Sequence, residues 1–301
     1  MSYTIQTFNL TKKFGPKEAV HDLDLKVPGG SIFAFLGPNG AGKTTTIKTI
    51  MNILSPSRGT AEVLGVDSRK LGPEEFRQIG YVSENQELPE WMKIGKFFDY
   101  CKKMYPSWDD KFCQELTGQF DLPAKEKIKN ISRGMKMKVS MISSLAYRPK
   151  LVVLDEPFSG LDPLVRQEFI DGILKITETE NWTVFISSHD IDEVERLADW
   201  VGIIDRGELK IQEETESLLR RFRKVEGVFS GPVSAGAGLP ETWLFPQHNQ
   251  RSLQFVESQY QDGKTEAAVK AIYPDCMDIS VSGMSLKEIF VVLAKNYKVG
   301  V

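Results

Sequence analysis

The chain has few cysteines, no long apolar run and no excess of charge of one sign. Its three cysteines form no CxxC pair and no other metal-ligand spacing, which is typical of reduced thiols in a cytosolic protein. No stretch approaches the ~18–20 apolar residues that a membrane-spanning helix needs. The opening residues MSYTIQTFNL also lack the pattern of a signal peptide. We therefore expect a cytoplasmic chain that depends on a partner for any membrane-spanning part.

The charge balance shows no positive excess of the kind that binds nucleic acids. Lys and Arg total 38 and Asp and Glu total 41, so the formal net charge of the 301 residues is −3. A nucleic-acid-binding domain usually carries a basic excess, and we expect no such partner here, although a local basic patch is compatible with this total. The length suits one large domain and a smaller one.

The order of apolar segments predicts an α/β fold on a mainly parallel sheet with an antiparallel part. YTIQTFNLTKKF and AVHDLDLKV alternate apolar and polar residues, as half-buried strands do. SIFAFLG, LVVLDEP and TVFISSHD have the pattern of buried strands, and KTTTIKTIMNIL that of a helix. VGIIDRGELKI is typical of a hairpin that turns at Asp205, Arg206 and Gly207. Strands that alternate with helices favour a parallel sheet covered by helices.

Two regions differ from this alternation and suggest the domain organisation. Residues 89–149 have much helical patterning, which indicates a helical subdomain inserted between two strands. DIDEVERLADW also has the pattern of a helix, with acidic residues at its start. After a basic run at 220–224, short strand patterns return and the amphipathic SLKEIFVVLAK closes the chain. We expect a main domain over 1–221 and a small C-terminal α/β domain over 222–301.

The strongest motif is the glycine-rich segment that follows SIFAFLG. It fits G-x4-G-K-[ST] and stands between a predicted strand and a predicted helix, the setting that a phosphate-binding loop requires. Glycines let successive backbone N–H groups point at one phosphate, and the start of the helix adds a positive dipole end. The expected phosphate-binding residues are Gly37, Pro38, Asn39, Gly40, Ala41, Gly42, Lys43, Thr44 and Thr45.

The loop and the end of the strand LVVLDEP carry the side chains that we expect to bind metal and to take part in catalysis. Lys43 is expected to reach the β- and γ-phosphates of a nucleoside triphosphate, and Thr44 to offer its hydroxyl to Mg²⁺. Asp155 and Glu156 end a buried strand, where carboxylates are costly unless they meet a cation or a proton. Ligands bind at this end of open α/β sheets. We expect Asp155 to hold Mg²⁺ through water and Glu156 to polarise the attacking water.

The motifs GPNGAGKTT, LVVLDEP, SGLD at 159–162 and SSH ending at His189 resemble, in order and spacing, the ATP-binding subunits of ABC transporters. The resemblance covers about the first 220 residues and implies a P-loop ATPase core with an inserted helical subdomain. It implies that Phe14 stacks on adenine and that His189 contacts the γ-phosphate. It also implies that Asp162 lines a dimer contact beside the catalytic water.

The family signature L-S-G-G-Q is represented here by ISRGM at 131–135. Ser132 and Gly134 remain, and the resemblance implies that they approach the γ-phosphate of ATP held by the opposite subunit. Arg133 replaces a glycine and Met135 a glutamine. The sequence leaves two hypotheses open for Arg133, which either perturbs docking or adds a cation near phosphate.

A second departure lies where the family has a Mg²⁺-contacting glutamine. That position is Glu84 here, and a carboxylate oxygen is also a suitable Mg²⁺ ligand. Gln86 is a nearby alternative ligand. A solvated polar loop without a ligand role is the third possibility for this segment.

The resemblance implies an ATPase that binds ATP and Mg²⁺ and dimerises face to face, as a homodimer or a heterodimer. Its motion would drive a separate polytopic membrane permease, with this chain peripheral on the inner face of the membrane. The segment MYPSWDDKFCQELTGQFDLP and the RGMKMK variant resemble the bacitracin-type and YtrB-type exporters, so export is favoured. A soluble ABC ATPase without a transport role and a nucleotide switch of low turnover are the alternatives. The role of the C-terminal domain stays open.

Overall fold

The computed structural model describes residues 2–84, 86–233 and 238–299, and the chain forms two compact units, Met1–Gln212 and Glu213–Val301. The strands that begin in the first unit are β1 (Tyr3–Phe14), β2 (Lys17–Leu23), β3 (Lys26–Pro28), β4 (Ile32–Leu36), β5 (Arg58–Val63), β6 (Val66–Asp67), β7 (Ile79–Ser83), β8 (Leu151–Asp155), β9 (Thr183–Ser188), β10 (Trp200–Asp205) and β11 (Glu208–Glu214). Its helices are α1 (Lys43–Ile50), α2 (Pro73–Phe76), α3 (Ile94–Met104), α4 (Asp110–Gln119), α5 (Arg133–Leu145), α6 (Pro163–Glu180) and α7 (Ile191–Val194).

The larger sheet of the first unit has the strand order β11-β10-β4-β9-β8-β7. From β10 to β7 every neighbouring pair is parallel, so the carboxyl ends of five strands meet at one edge. Every residue of β4, β8 and β9 is buried, as their apolar runs predicted. The predicted hairpin is confirmed, since Arg206 and Gly207 both have positive φ between β10 and β11, which suits a tight two-residue turn.

The antiparallel part of the fold is a second sheet with the order β2-β1-β5-β6, in which β3 also pairs with β1. The long strand β1 pairs antiparallel with β2, β3 and β5. AVHDLDLKV was predicted as one strand, but the structure breaks it after Leu23, and β3 begins at Lys26. Inward-facing apolar residues of both sheets share one core that includes Ile5, Val63, Phe35 and Phe185.

Three helices, α3, α4 and α5, stand between the neighbouring strands β7 and β8, within residues 89–149, where the sequence predicts a helical subdomain. The helix prediction for DIDEVERLADW was wrong beyond Val194, because α7 has only four residues. Directly before β10, the Asp199 carboxylate accepts a hydrogen bond from the Ile32 N–H, 2.8 Å away, which fixes this end of the segment to β4. Val194 and Leu197 are buried without a longer helix.

The described residues of the second unit form one sheet and three helices. The elements that lie in it are α8 (Thr215–Arg221), β12 (Arg223–Phe229), β13 (Trp243–His248), β14 (Ser252–Glu257), α9 (Lys264–Ile272), β15 (Cys276–Gly283) and α10 (Leu286–Val299). Its strand order is β13-β14-β12-β15, and its core includes Val225, Trp243, Phe255 and Val269. In the part of the chain that the structure describes, no helix is long and apolar enough to cross a membrane.

Candidate functional site

The phosphate loop leaves the carboxyl end of β4 and enters α1, as the motif predicted. Gly40 and Gly42 have φ values of +82° and +112°, a region that side chains rarely adopt. Successive N–H groups can therefore turn toward one point at the start of α1. The loop lines a cleft together with Phe14, Glu84 and Glu156.

Neighbouring backbone holds this loop closely. A Cβ atom at Gly37 would lie 2.3 Å from the carbonyl oxygen of Ile204, and one at Gly42 would lie 2.5 Å from that of Ala19. The Gly207 N–H, in the turn between β10 and β11, donates to the Ala41 carbonyl over 2.8 Å. The hairpin that the sequence predicted thus supports the phosphate loop.

Lys43, Glu156 and His189 meet in one chain of polar contacts. The Lys43 ammonium lies 3.0 Å from Glu156 Oε1, and His189 Nδ1 lies 2.7 Å from Glu156 Oε2. Lys43 also donates to the Gly37 carbonyl over 2.6 Å, and it is buried. Glu156 has φ of +53°, which is uncommon outside glycine and costs energy that the surrounding structure must offset. The three residues predicted as catalytic are therefore adjacent.

Asp155 forms the second polar group of the site. Its Oδ1 accepts hydrogen bonds from Thr44 Oγ1 at 3.0 Å and from Ser187 Oγ at 2.8 Å. Burial of this carboxyl group raises its pKa above the ordinary value, and the two hydroxyl donors partly oppose that rise. A cation beside Asp155 would relieve the cost of burying its charge. The predicted metal ligands Thr44 and Asp155 thus lie within hydrogen-bond distance of each other.

Ser187 on β9 is a residue that the motif analysis missed. Its hydroxyl donates to Asp155 and also accepts the N–H of Glu156, at 3.0 Å. It thereby positions both acidic residues from the neighbouring strand. The serine belongs to the quoted segment TVFISSHD. It pairs directly with Asp155 in the parallel register, so alignment of the two predicted strands could have identified it.

Glu84 and Arg133, the two departures from the family pattern, form an ion pair in the structure. Arg133 Nη2 lies 2.8 Å from Glu84 Oε1, and that oxygen also accepts a hydrogen bond from Ser159 Oγ at 2.8 Å. The Glu84 N–H donates to the Asp155 carbonyl over 3.0 Å, which continues the pairing of β7 with β8. Gln86, the alternative ligand, is exposed. The carboxylate of Glu84 is directed to Arg133 and Ser159.

The remaining predicted residues lie at two helix starts. Ser132 caps α5, and its hydroxyl accepts the Met135 N–H at 3.2 Å. Asp162 caps α6 and accepts two backbone N–H groups of the first turn, within 3.1 Å. A Cβ at Gly134 would lie 3.1 Å from a methyl carbon of Val165, so these helix starts pack closely. The structure gives Asp162 a capping role, and its expected role at a dimer contact stays a prediction.

Phe14 ends β1 and is half exposed at the edge of the phosphate cleft. The Lys12 ammonium lies 5.1 Å from the centre of its ring. An exposed aromatic face beside a phosphate loop is suited to stacking on a base. This position agrees with the geometry that adenine stacking needs, and the stacking itself stays a prediction.

Comparison with known proteins gives concordant matches. The profile of the ABC transporter family matches residues 20–159. The bacitracin transport ATP-binding protein BcrA of Bacillus licheniformis is 31% identical over the whole of both chains. The ABC transporter ATP-binding protein YtrB of Bacillus subtilis is 26% identical over 84% of this chain and 90% of its own length.

Solved structures agree on the fold. An ATP-binding subunit of an ABC transporter superposes with a TM-score of 0.66 and 25% identity, over 72% of this chain and 92% of its own. The ATP-binding cassette MJ0796 in a dimeric post-hydrolysis state with ADP and Pi gives a TM-score of 0.63 at 21% identity, over 70% of this chain and 98% of its own. The α/β fold class that the sequence predicted is thereby confirmed.

Proposed function

Since this chain belongs to the ABC transporter family of ATP-binding subunits and is an ATPase, we propose that two such subunits enclose Mg²⁺–ATP and drive a separate export permease. The observation that carries the proposal is the contact of Glu156 with both Lys43 and His189 beside the phosphate loop. A carboxylate in this position is suited to orient a water molecule toward a γ-phosphate. We propose that Lys43 turns from Glu156 to the phosphates when ATP binds.

The residues around Asp155 fit Mg²⁺. Thr44 and Asp155 present hard oxygen atoms to the cleft. Within the described ranges, no three His, Cys, Asp or Glu side chains converge to hold a metal ion alone. Mg²⁺ usually takes one or two protein ligands together with phosphates and water, and Thr44 and Asp155 are two such ligands. Bound Mg²⁺ would supply positive charge against the β- and γ-phosphates. Ser187 holds Asp155 and Glu156 in place through its two hydrogen bonds.

The opposite side of the nucleotide would come from a second subunit. The start of α5 bears Ser132 and Gly134, and the positive end of the helix dipole there favours an anion. Leu164, beside the Asp162 cap of α6, is 71% exposed although it is a large apolar residue. A face with these features is suited to burial against a second ATPase subunit, of the same or a different chain.

An exposed groove in the helical subdomain supports a membrane-protein partner. Trp91 is 71% exposed and Tyr100 is 52% exposed, which is unusual for large aromatic residues without a binding role. Lysines surround them. We propose that a cytoplasmic loop of the permease, with acidic and apolar residues, binds this groove and places the chain at the inner face of the membrane. The lining residues are Trp91, Met92, Lys93, Lys96, Asp99, Tyr100, Lys102, Lys103 and Lys127, so one acidic side chain stands among five lysines.

We propose export as the direction of transport, by resemblance to the branch of the relatives named above. Their printed names describe bacitracin transport and ABC transporter ATP-binding proteins, and the first of them matches this chain from end to end. We propose a substrate handled by a permease of that branch. The permease, and not this chain, would select it.

Replacement of Glu156 by Gln tests the catalytic assignment. The amide keeps the size of the side chain but accepts no proton, so we expect ATP hydrolysis to fall at least ~100-fold. ATP binding is expected to persist, and the ATP-bound dimer is expected to accumulate. Hydrolysis is measured by phosphate release and the dimer by sedimentation velocity.

Glu62→Gln is the matched control, because Glu62 is an exposed carboxylate on β5. We expect it to hydrolyse ATP at the wild-type rate. Wild-type turnover by the Glu156→Gln chain would show that Glu156 does not orient the water. Absence of any ATP-dependent dimer would refute the two-subunit site.

A further inference from the structure

Glu84, Arg133 and Ser159 connect three separate parts of the first unit. Glu84 follows β7, Arg133 begins α5, and Ser159 lies in the loop that follows Glu156. One oxygen of Glu84 accepts from both other side chains, at 2.8 Å each. The contact thus joins the edge of the phosphate cleft to the segment that is expected to face the opposite subunit.

Gly160 leaves the space that the Arg133 side chain occupies. An ideal Cβ at Gly160 would lie 2.6 Å from Arg133 Nη1 and 2.9 Å from Cζ, so the guanidinium lies directly against the glycine. Gly160 has φ of +69°, which is costly for other residues. The arginine, its acidic partner and the glycine beneath it therefore match one another in shape and charge.

The ion pair is weak enough for Arg133 to exchange Glu84 for another anion. Arg133 is 53% exposed at its side chain and Glu84 is 31% exposed, and ion pairs so close to solvent contribute little to stability. A positive charge at the start of α5 is unfavourable with the helix dipole, so Arg133 needs an anion nearby. A terminal phosphate carries more charge than a carboxylate and accepts two hydrogen bonds from a guanidinium.

We propose that Arg133 contacts the γ-phosphate of the ATP bound to the opposite subunit. Before that, Glu84 keeps Arg133 in the ion pair, and the pair opens when Mg²⁺–ATP binds in the cleft of the subunit to which both residues belong. The inference rests on the two-subunit site proposed above. Glu84 lines that cleft, and rotation of its carboxylate toward a bound nucleotide would take Oε1 away from Arg133. Each subunit would then release its arginine only after it has bound nucleotide, and the dimer would close with both sites filled.

The test measures the ATP concentration at half-maximal dimerisation, by sedimentation velocity, in a chain that already carries Glu156→Gln. Glu84→Gln keeps a metal-ligating oxygen but removes the charge that holds Arg133, so we expect this concentration to fall about threefold. Arg133→Gly removes the proposed contact, so we expect a rise of at least ~10-fold. The double variant is expected to resemble Arg133→Gly alone, because Glu84 acts through Arg133. The half-maximal ATP concentration of Arg133→Lys should lie between those of the parent chain and Arg133→Gly, since lysine keeps the charge but lacks the planar guanidinium.

Glu90→Gln is the matched control, because the Glu90 carboxylate pairs with Lys136 on the same helix α5 at 2.6 Å. We expect it to leave the half-maximal concentration unchanged, and thermal melting of every variant checks that the fold is intact. Unchanged or easier dimerisation of the Arg133→Gly chain would overturn the proposal and show that Arg133 only obstructs or is neutral. Failure of the Glu156→Gln parent to dimerise would refute the two-subunit site itself, and the arginine contact with it.

Discussion

Phe14 is a single exposed ring on which much of the nucleotide affinity can depend. Replacement by Ala removes the stacking surface, and stacking on one base is worth about 1–3 kcal/mol, so we expect ATP affinity to fall on the order of tenfold. Phe14→Tyr keeps the ring and should bind nearly as the wild type does. Fluorescent ATP titration in the presence of Mg²⁺ measures the change.

Phe8→Ala is the control for this prediction, because Phe8 is also an exposed ring on strand β1, 40% against 48% for Phe14, and does not line the cleft. Its affinity for ATP should stay at the wild-type value. If both variants bind ATP normally, adenine does not stack on Phe14. If both lose affinity, the loss comes from the strand and not from the ring.

At this scale the sequence predicted residue types and local order better than it predicted side-chain partners. Lys43, Asp155, Glu156 and His189 follow from motifs, because each motif is a short run whose spacing sets its place at a strand end. The pairing of Glu84 with Arg133 joins residues 49 positions apart, and only the fold brings them together. Two separate departures from a family pattern are thereby one feature.

Two glycines of the phosphate loop differ in the space around them. A methyl group at Gly37 would meet the Ile204 carbonyl at 2.3 Å, whereas one at Gly40 would have no neighbour within 4 Å. Both positions lose the same backbone freedom in the unfolded chain when they become Ala. We expect Gly37→Ala to destabilise the ligand-free protein by about 2–4 kcal/mol, because the loop or β10 must move.

Gly40→Ala is the comparison, with an expected cost of about 1 kcal/mol for its positive φ alone. Denaturant unfolding of the two variants without nucleotide gives the difference. Equal losses would mean that the loop adjusts without cost at Gly37. The same result would weaken the inference that β10 supports the loop.

Elements with strong patterns were predicted well, and weakly patterned ones were missed. β4, β8 and β9 are buried apolar runs, and the structure confirms each of them. β13 has the sequence WLFPQH, whose proline and polar end hide the alternation of a strand. α9 buries only Thr265 and Val269, so its apolar stripe is too narrow to stand out.

For the molecule as a whole, the groove of the helical subdomain is the proposed binding site for the permease. We expect the double variant Trp91→Ala/Tyr100→Ala to lose co-purification with the permease, because it removes the apolar surface of the groove. ATP-dependent dimerisation of the isolated chain should be unchanged. Affinity purification of the tagged chain under gentle detergent extraction, followed by detection of the permease, measures the loss.

Ile53→Ala is the control for exposed apolar area, because Ile53 is 54% exposed and lies outside the groove. It should co-purify with the permease as the wild type does. Retention of the permease by the groove variant would move the docking site elsewhere. Absence of any polytopic partner from the wild-type preparation would count against the transport role.

The contact between the Gly207 N–H and the Ala41 carbonyl has a consequence for the thermodynamics of ligand capture. A loop held by a neighbouring turn is already ordered before the nucleotide arrives, so little conformational entropy is lost when its N–H groups meet the phosphates. The heat released by those hydrogen bonds is then not offset by loop ordering. Capture of the first nucleotide by a lone subunit should therefore be fast and enthalpic, which leaves the slower, entropy-consuming step to the joining of two subunits.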